Sequence, residues 1–134
     1  MERDDEVQEY YKMSLSFLEA AHACLSKGLH APAMANGIHA LELAMKAALA
    51  ANGKASLRTH YVGGLFGKHF RARIGAEKCR KLNSLLARYN LPRYPGEEEV
   101  EYDDIADDVS FIDAMVKKDI RSLLKEHTGN LRGD

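Results

Sequence analysis

Apolar residues along this chain recur at intervals of three and four, the period of an α-helix, and no stretch alternates residue by residue as a half-buried strand would. In segment 5–27, Val7, Tyr11, Leu18, Ala21 and Leu25 form one stripe, widened by Tyr10, Phe17 and Cys24, with Ser14 in a place where an apolar residue is expected. Gly28 is a natural stop, because glycine enters the left-handed conformation of a helix C-terminus without a Cβ penalty. In segment 31–52, Met34, Ile38, Leu41, Met45 and Leu49 make the stripe, and Pro32 suits a first turn. This segment is rich in alanine and contains Gly37, so neighbours can approach it closely on several sides. That predicts a place at the centre of a bundle or at a subunit contact. Asn52-Gly53 ends it.

A third helix is predicted from Thr59, a candidate N-cap, through Val62, Leu65, Phe66 and Phe70 to a basic end made by Lys68, Arg71 and Arg73. Gly63, Gly64 and Gly67 weaken its intrinsic helicity and leave room for a close neighbour or a ligand. Gly75 separates it from a fourth helix over 76–90, with Cys79, Leu82, Leu86 and Tyr89 on one face. Pro92 and Pro95 forbid a continuous helix, so 91–103 is expected to be a loop carrying the acidic run Glu97-Glu98-Glu99. The last helix is expected to start at Asp103 or Asp104 and to present Ile105, Val109, Ile112, Val116 and Leu123, with a frayed tail over 128–134. The pattern therefore predicts an all-α protein: a four- to five-helix, up-and-down antiparallel bundle, one domain over 1–134 with an ordered core from about 5 to 127.

A length of 134 residues, 46% hydrophobic and 29% charged, is ordinary for one globular domain. With 19 basic and 20 acidic side chains the net charge is -1, which argues against broad electrostatic binding of nucleic acid but leaves room for a local basic patch. Cys24 and Cys79 fall inside apolar patterns and read as buried thiols. No Cys/His pair has metal-ligand spacing, so no metal and no cofactor is expected. The charged start Met1-Glu2-Arg3-Asp4-Asp5 leads into no apolar leader, and no window has the apolar length of a membrane span, so a cytoplasmic protein is expected.

Three stretches carry a family resemblance. His39-Ala-Leu-Glu-Leu-Ala-Met-Lys-Ala-Ala-Leu49, followed by Asn52-Gly53, is similar to a helix in which a Glu and a Lys four apart stand among alanines. Thr59-His60-Tyr-Val-Gly-Gly-Leu-Phe-Gly-Lys-His-Phe70 and Tyr89-Asn-Leu-Pro-Arg-Tyr-Pro95 follow in the same order. Together, over about residues 10–125, they resemble the HEPN family of small prokaryotic helical proteins. The resemblance implies a helical bundle that is usually a homodimer, a partnership with a minimal nucleotidyltransferase-type protein in a two-component, toxin–antitoxin-like system, and binding of a nucleotide. Some branches of the family are ribonucleases that carry an Arg followed, after four to six residues, by a His. Arg88 and Arg93 have no His at that offset, and the match Arg121…His127 falls at the end of the last helix, away from the family's position. A non-catalytic binding protein is therefore expected, with Arg121 and His127 as the residues of the ribonuclease alternative.

Other residues offer candidate chemistry, each with a structural counterpart. Glu42 and Lys46 are one turn apart and read either as a surface ion pair or, facing a groove, as an anion site. Thr59 and His60 at a helix start can help hold a phosphate, or can cap the helix. Arg93 and Tyr94, beside Arg88 and Tyr89, combine a planar guanidinium with an aromatic face suited to a base and a phosphate, or they shape the turn and pair with Glu97 or Glu98. The ligand site is accordingly expected at Arg93, Tyr94, His60, Thr59 and Lys46. Gly63-Gly64-x-x-Gly67-Lys68 is not a phosphate-binding P-loop, because His69 follows Lys68 and no strand precedes it. His22 and His39 lie in apolar helices, where packing in the core or an interface is the default.

Overall fold

A computed structural model describes residues 3–53, 62–89 and 104–128. Helix α1 spans Arg3–Ser26, α2 His30–Ala51, α3 Val62–Ile74 and α4 Ala76–Tyr89. The last helix runs as α5 Ile105–Ala114, a π segment Met115–Ile120 and α6 Arg121–Thr128. Among the described residues every element is helical and none is a strand, as the periodicity predicts. The expected cap at Thr59, the loop 91–103 and the tail beyond Thr128 lie outside the described residues. At the start of the last helix, Asp104 occupies the N-cap position without a side-chain cap bond.

α1 ends in the left-handed turn expected at Gly28, where φ is +72°. The Gly28 N–H donates to the Leu25 carbonyl at 3.0 Å and the Leu29 N–H to the Cys24 carbonyl at 2.9 Å, the paired bonds that close a helix on glycine. The chain reverses and α2 returns along α1. Paired contacts run in opposite directions along the two helices: Ser14 to Ala40, Phe17 to His39, Ala21 to Gly37, and Cys24 to Asn36. Such close approach needs small residues. A Cβ on Gly37 would sit 3.3 Å from Ile112 Cδ1 and 3.9 Å from the Ala21 Cβ.

α2 touches every other helix, and 14 of its 22 residues are buried. Its alanine content thus has a packing reason within one chain: neighbours lie on several sides. Leu18, Met34, Ile38, Leu41, Met45, Leu49, Phe66, Leu82, Ile112, Met115, Ile120 and Leu124 form the fully buried centre. Ser14, out of place in the apolar stripe, is itself fully buried, and its hydroxyl donates to the Ala40 carbonyl at 2.6 Å. A buried hydroxyl needs such a partner.

Three expectations change. His22 and His39 are both exposed rather than core residues, because they fall on the outer side of the α1–α2 pair. His22 Nε2 meets Asp113 Oδ2 at 2.8 Å, and the His39 ring stands edge-on to Phe17 at 4.3 Å. Cys24 is half-buried, whereas Cys79 is buried as expected. The last helix widens to a π turn, which hydrophobic spacing does not reveal. The buried Tyr11 hydroxyl donates to the Val116 carbonyl there at 3.0 Å, and side chains inserted at the helix ladder are a recognised cause of such irregularities. Tyr11→Phe is expected to cost about 1 kcal/mol, the net contribution of one buried hydrogen bond. A denaturant midpoint unchanged from the wild type would show that the π turn does not depend on this hydroxyl.

Candidate functional site

The sequence-predicted ligand residues are not brought together by the described structure. Thr59, His60, Arg93 and Tyr94 lie outside the described residues. Lys46 and Glu42 are half-buried on α2. Arg121, half-buried, opens α6, and His127 lies in the same helix. Six positions along an α-helix place two residues about 120° apart around the axis and about 9 Å apart along it.

A different constellation arises where α3 and α4 face each other. In α3, Val62, Phe66 and Phe70 point into the core at helical spacing. Gly63 is buried beside them, and a Cβ there would come within 2.3 Å of Asn83 Oδ1 and 2.7 Å of Leu86 Cδ1. That missing side chain lets α4 lie close against α3. On α4 the buried face is Cys79, Leu82 and Leu85, with Leu86 half-buried. The expected stripe has Leu86 in place of Leu85; Leu85 is the more deeply buried of the two. The reversal between the helices is sharp. Gly75 adopts φ +104°, its N–H donates to the Arg71 carbonyl at 2.8 Å, and its own carbonyl accepts from the Cys79 N–H at 3.1 Å.

The remaining faces of the hairpin leave a groove of about 310 Å³. From α3 it is lined by Gly64, Gly67, Lys68 and Arg71, residues spaced three and four apart. From α4 it is lined by Ala76, Cys79, Arg80 and Asn83, spaced likewise. An added Cβ on Gly64 or Gly67 would meet nothing within 4 Å. These two glycines thus keep one wall low, while Gly63 draws the helices together.

Seven Lys or Arg and one acidic residue, Glu77, occur within 62–89, in a chain whose net charge is -1. Three of these cations are engaged in holding the hairpin to the last helix. Arg73 pairs with Glu126, Lys78 Nζ meets Asp119 Oδ2 at 3.0 Å, and Lys81 lies over the Phe111 ring at 4.8 Å from its centroid. Lys68, Arg71 and Arg80 face the groove instead, and no carboxylate lines it. Burial pushes the Cys79 thiol above its ordinary pKa, against a smaller downward pull from the Arg71 guanidinium. The group is therefore a thiol at neutral pH and not a nucleophilic thiolate. The groove can hold an anion through cationic donors carried by two helices, Lys68, Arg71 and Arg80.

A second depression, between α1 and the π segment, has an apolar floor of Leu15 and Leu18 and a rim of Glu19, His22 and Lys117. There Asp113 accepts from Lys117 at 3.3 Å as well as meeting His22, so opposite charges largely satisfy one another. Among the described residues no group of His, Cys, Asp or Glu is arranged to hold a metal ion, and no helix is long and apolar enough to cross a membrane.

The sequence reading noted the basic end of α3 and the glycines, but it did not join them to Arg80 and Asn83 across the turn. The available signal was the excess of basic over acidic residues confined to 62–89. Comparison with known proteins finds that a model of the HEPN domain matches residues 7–128. No curated protein and no solved structure gives a significant match.

Proposed function

Because the chain belongs to the HEPN domain family, we propose that it is a non-catalytic binding protein of that family: a homodimer that partners a minimal nucleotidyltransferase-type protein in a two-component system. A nucleotide is the ligand class that the family resemblance suggests. The observation supporting binding over cleavage is the α3–α4 groove, which offers Lys68, Arg71 and Arg80 and is lined by no His, Asp or Glu. Metal-independent RNA cleavage needs a group that takes a proton from one oxygen and one that returns it to another. Arg121 and His127 lie at the end of the last helix, away from the family's position for that motif.

The purified chain is expected to leave single-stranded RNA intact, to run as a dimer in size-exclusion light scattering at tens of micromolar, and to form a stable complex with a nucleotidyltransferase-type protein encoded beside it. RNA cleavage that disappears in His127→Ala would replace this reading with the ribonuclease one. A monomer that ignores the nucleotidyltransferase would remove the assembly and partner readings.

A further inference from the structure

We propose that the groove between α3 and α4 is a binding site for a compact polyphosphate group, as carried by a nucleoside triphosphate or by inorganic tripolyphosphate, held by Lys68, Arg71 and Arg80. The inference rests on reading the chain as a binding protein. It assigns a site that includes none of Arg93, Tyr94, His60, Thr59 and Lys46.

Three observations carry it. First, the charge is local and directed. Three cations from two helices line one groove, no carboxylate does, and none of the three is paired with a carboxylate of the described residues. Like charges held close together repel, and a polyanion relieves that repulsion. Second, the other nearby cations are committed. Arg73, Lys78 and Lys81 pack the hairpin onto the last helix. Among the described residues of α3 and α4, Lys68, Arg71 and Arg80 are thus gathered at one groove while Arg73, Lys78 and Lys81 turn to the last helix. No aromatic ring lines the groove, so nothing there stacks a base. Third, the shape suits several phosphate groups rather than one. The groove measures about 310 Å³, roughly ten times the liquid volume of a water molecule. Gly64 and Gly67 leave its floor open, so phosphate oxygens can approach α3 closely. Arg71 and Arg80 each offer a planar fork for two oxygens, and Lys68 adds a point charge and Asn83 an amide donor. Recognition directed at the phosphates and not at the base follows from these residue types.

Calorimetric titration of the full chain with tripolyphosphate, ATP, AMP and adenosine tests this. Tripolyphosphate and ATP are expected to bind with similar affinity, AMP at least about tenfold more weakly, and adenosine not at all; each lost charge-assisted contact corresponds to about a tenfold change. Arg71→Ala and Arg80→Ala are each expected to weaken tripolyphosphate binding about tenfold. Gly67→Glu provides a variant that does not threaten the fold, since its side chain enters open space and raises helix propensity. It places a carboxylate in the groove and is expected to abolish binding, while Gly67→Ala retains it. Equal binding by the wild type and Gly67→Glu would overturn the site. Binding of adenosine as tight as that of ATP, or binding of an RNA oligonucleotide without tripolyphosphate, would overturn the ligand class. Failure of the wild type to bind either polyphosphate would sink the inference outright. An intact nucleotidyltransferase complex beside that failure would leave the function proposed above standing, whereas polyphosphate binding without the complex would remove the partner reading alone.

Discussion

Phe66→Ala is expected to lower the free energy of unfolding by about 3–5 kcal/mol, the usual range for emptying a buried phenylalanine site. The ring is fully buried and lies 5.0 Å from that of Phe70. Its helix has little to hold it apart from such contacts. Three glycines in the first six residues of α3 each cost about 1 kcal/mol of helix propensity relative to alanine. α3 is thus a helix made by packing, and Phe66 and Phe70 are the largest side chains that fix it to the core. A domain of this size has a total stability of about 5–15 kcal/mol, so the variant approaches the point of unfolding. Guanidinium denaturation followed by circular dichroism measures the loss. A loss below about 1 kcal/mol would mean that the site closes around the missing ring and that α3 is held by other residues. Polyphosphate binding is expected to fall with it, because Lys68 and Arg71 ride on the same helix.

Gly37→Leu is expected to destabilise by about 2 kcal/mol, whereas Gly37→Ala stays within about 1 kcal/mol of the wild type. The two substitutions share a gain in helix propensity of about 1 kcal/mol. They differ in what lies beyond Cβ. One carbon at this position meets Ile112 Cδ1 at 3.3 Å and the Ala21 Cβ at 3.9 Å, a tight contact that a small shift of the isoleucine relieves. An isobutyl group has no such outlet, since α1 and α5 close the site from both sides. Overpacking of this kind typically costs about 1–3 kcal/mol and displaces backbone. The comparison is read from the thermal midpoints of both variants. Equal midpoints would show that α1 and α2 separate easily, and that the small residues between them do not set the spacing of the bundle.

Much of the architecture was legible along the chain for a plain reason. Helical period, proline exclusion and terminal glycines are local properties, and each depends on a few neighbouring residues. The stop at Gly28, the break at Gly75, the start of the last helix at Ile105 and the all-α class follow from them. The alanines of α2 pointed to the centre of the bundle or a subunit contact, and its contacts with every other helix show the first. Other features depend on residues distant in the chain. Periodicity left Ser14 as a gap in a stripe; that it donates to Ala40 requires α1 and α2 to be docked in register. The apolar character of their segments pointed His22 and His39 to the core or an interface; that neither is in the core is decided by how each helix meets its neighbours. The π turn at Met115–Ile120 coincides with the Tyr11 hydroxyl bond, a contact across 105 positions.

The groove shows the same division most clearly. Its parts were visible one at a time: glycines in a weak helix, a basic helix end, a run of cations after Gly75. Gly63 looked no different from Gly64 and Gly67 in the sequence, yet it is pressed against Asn83 and Leu86 while the other two face open space. Lys68, Arg71 and Arg80 looked no different from Arg73, Lys78 and Lys81, yet the latter three are drawn to Glu126, Asp119 and Phe111 on the last helix. By itself, then, the sequence determined the all-α class, the stops at Gly28 and Gly75 and the family. Which glycine is a contact and which a floor, and which cation is a strut and which a ligand donor, was decided only by the tertiary structure, because those roles depend on partners from other helices.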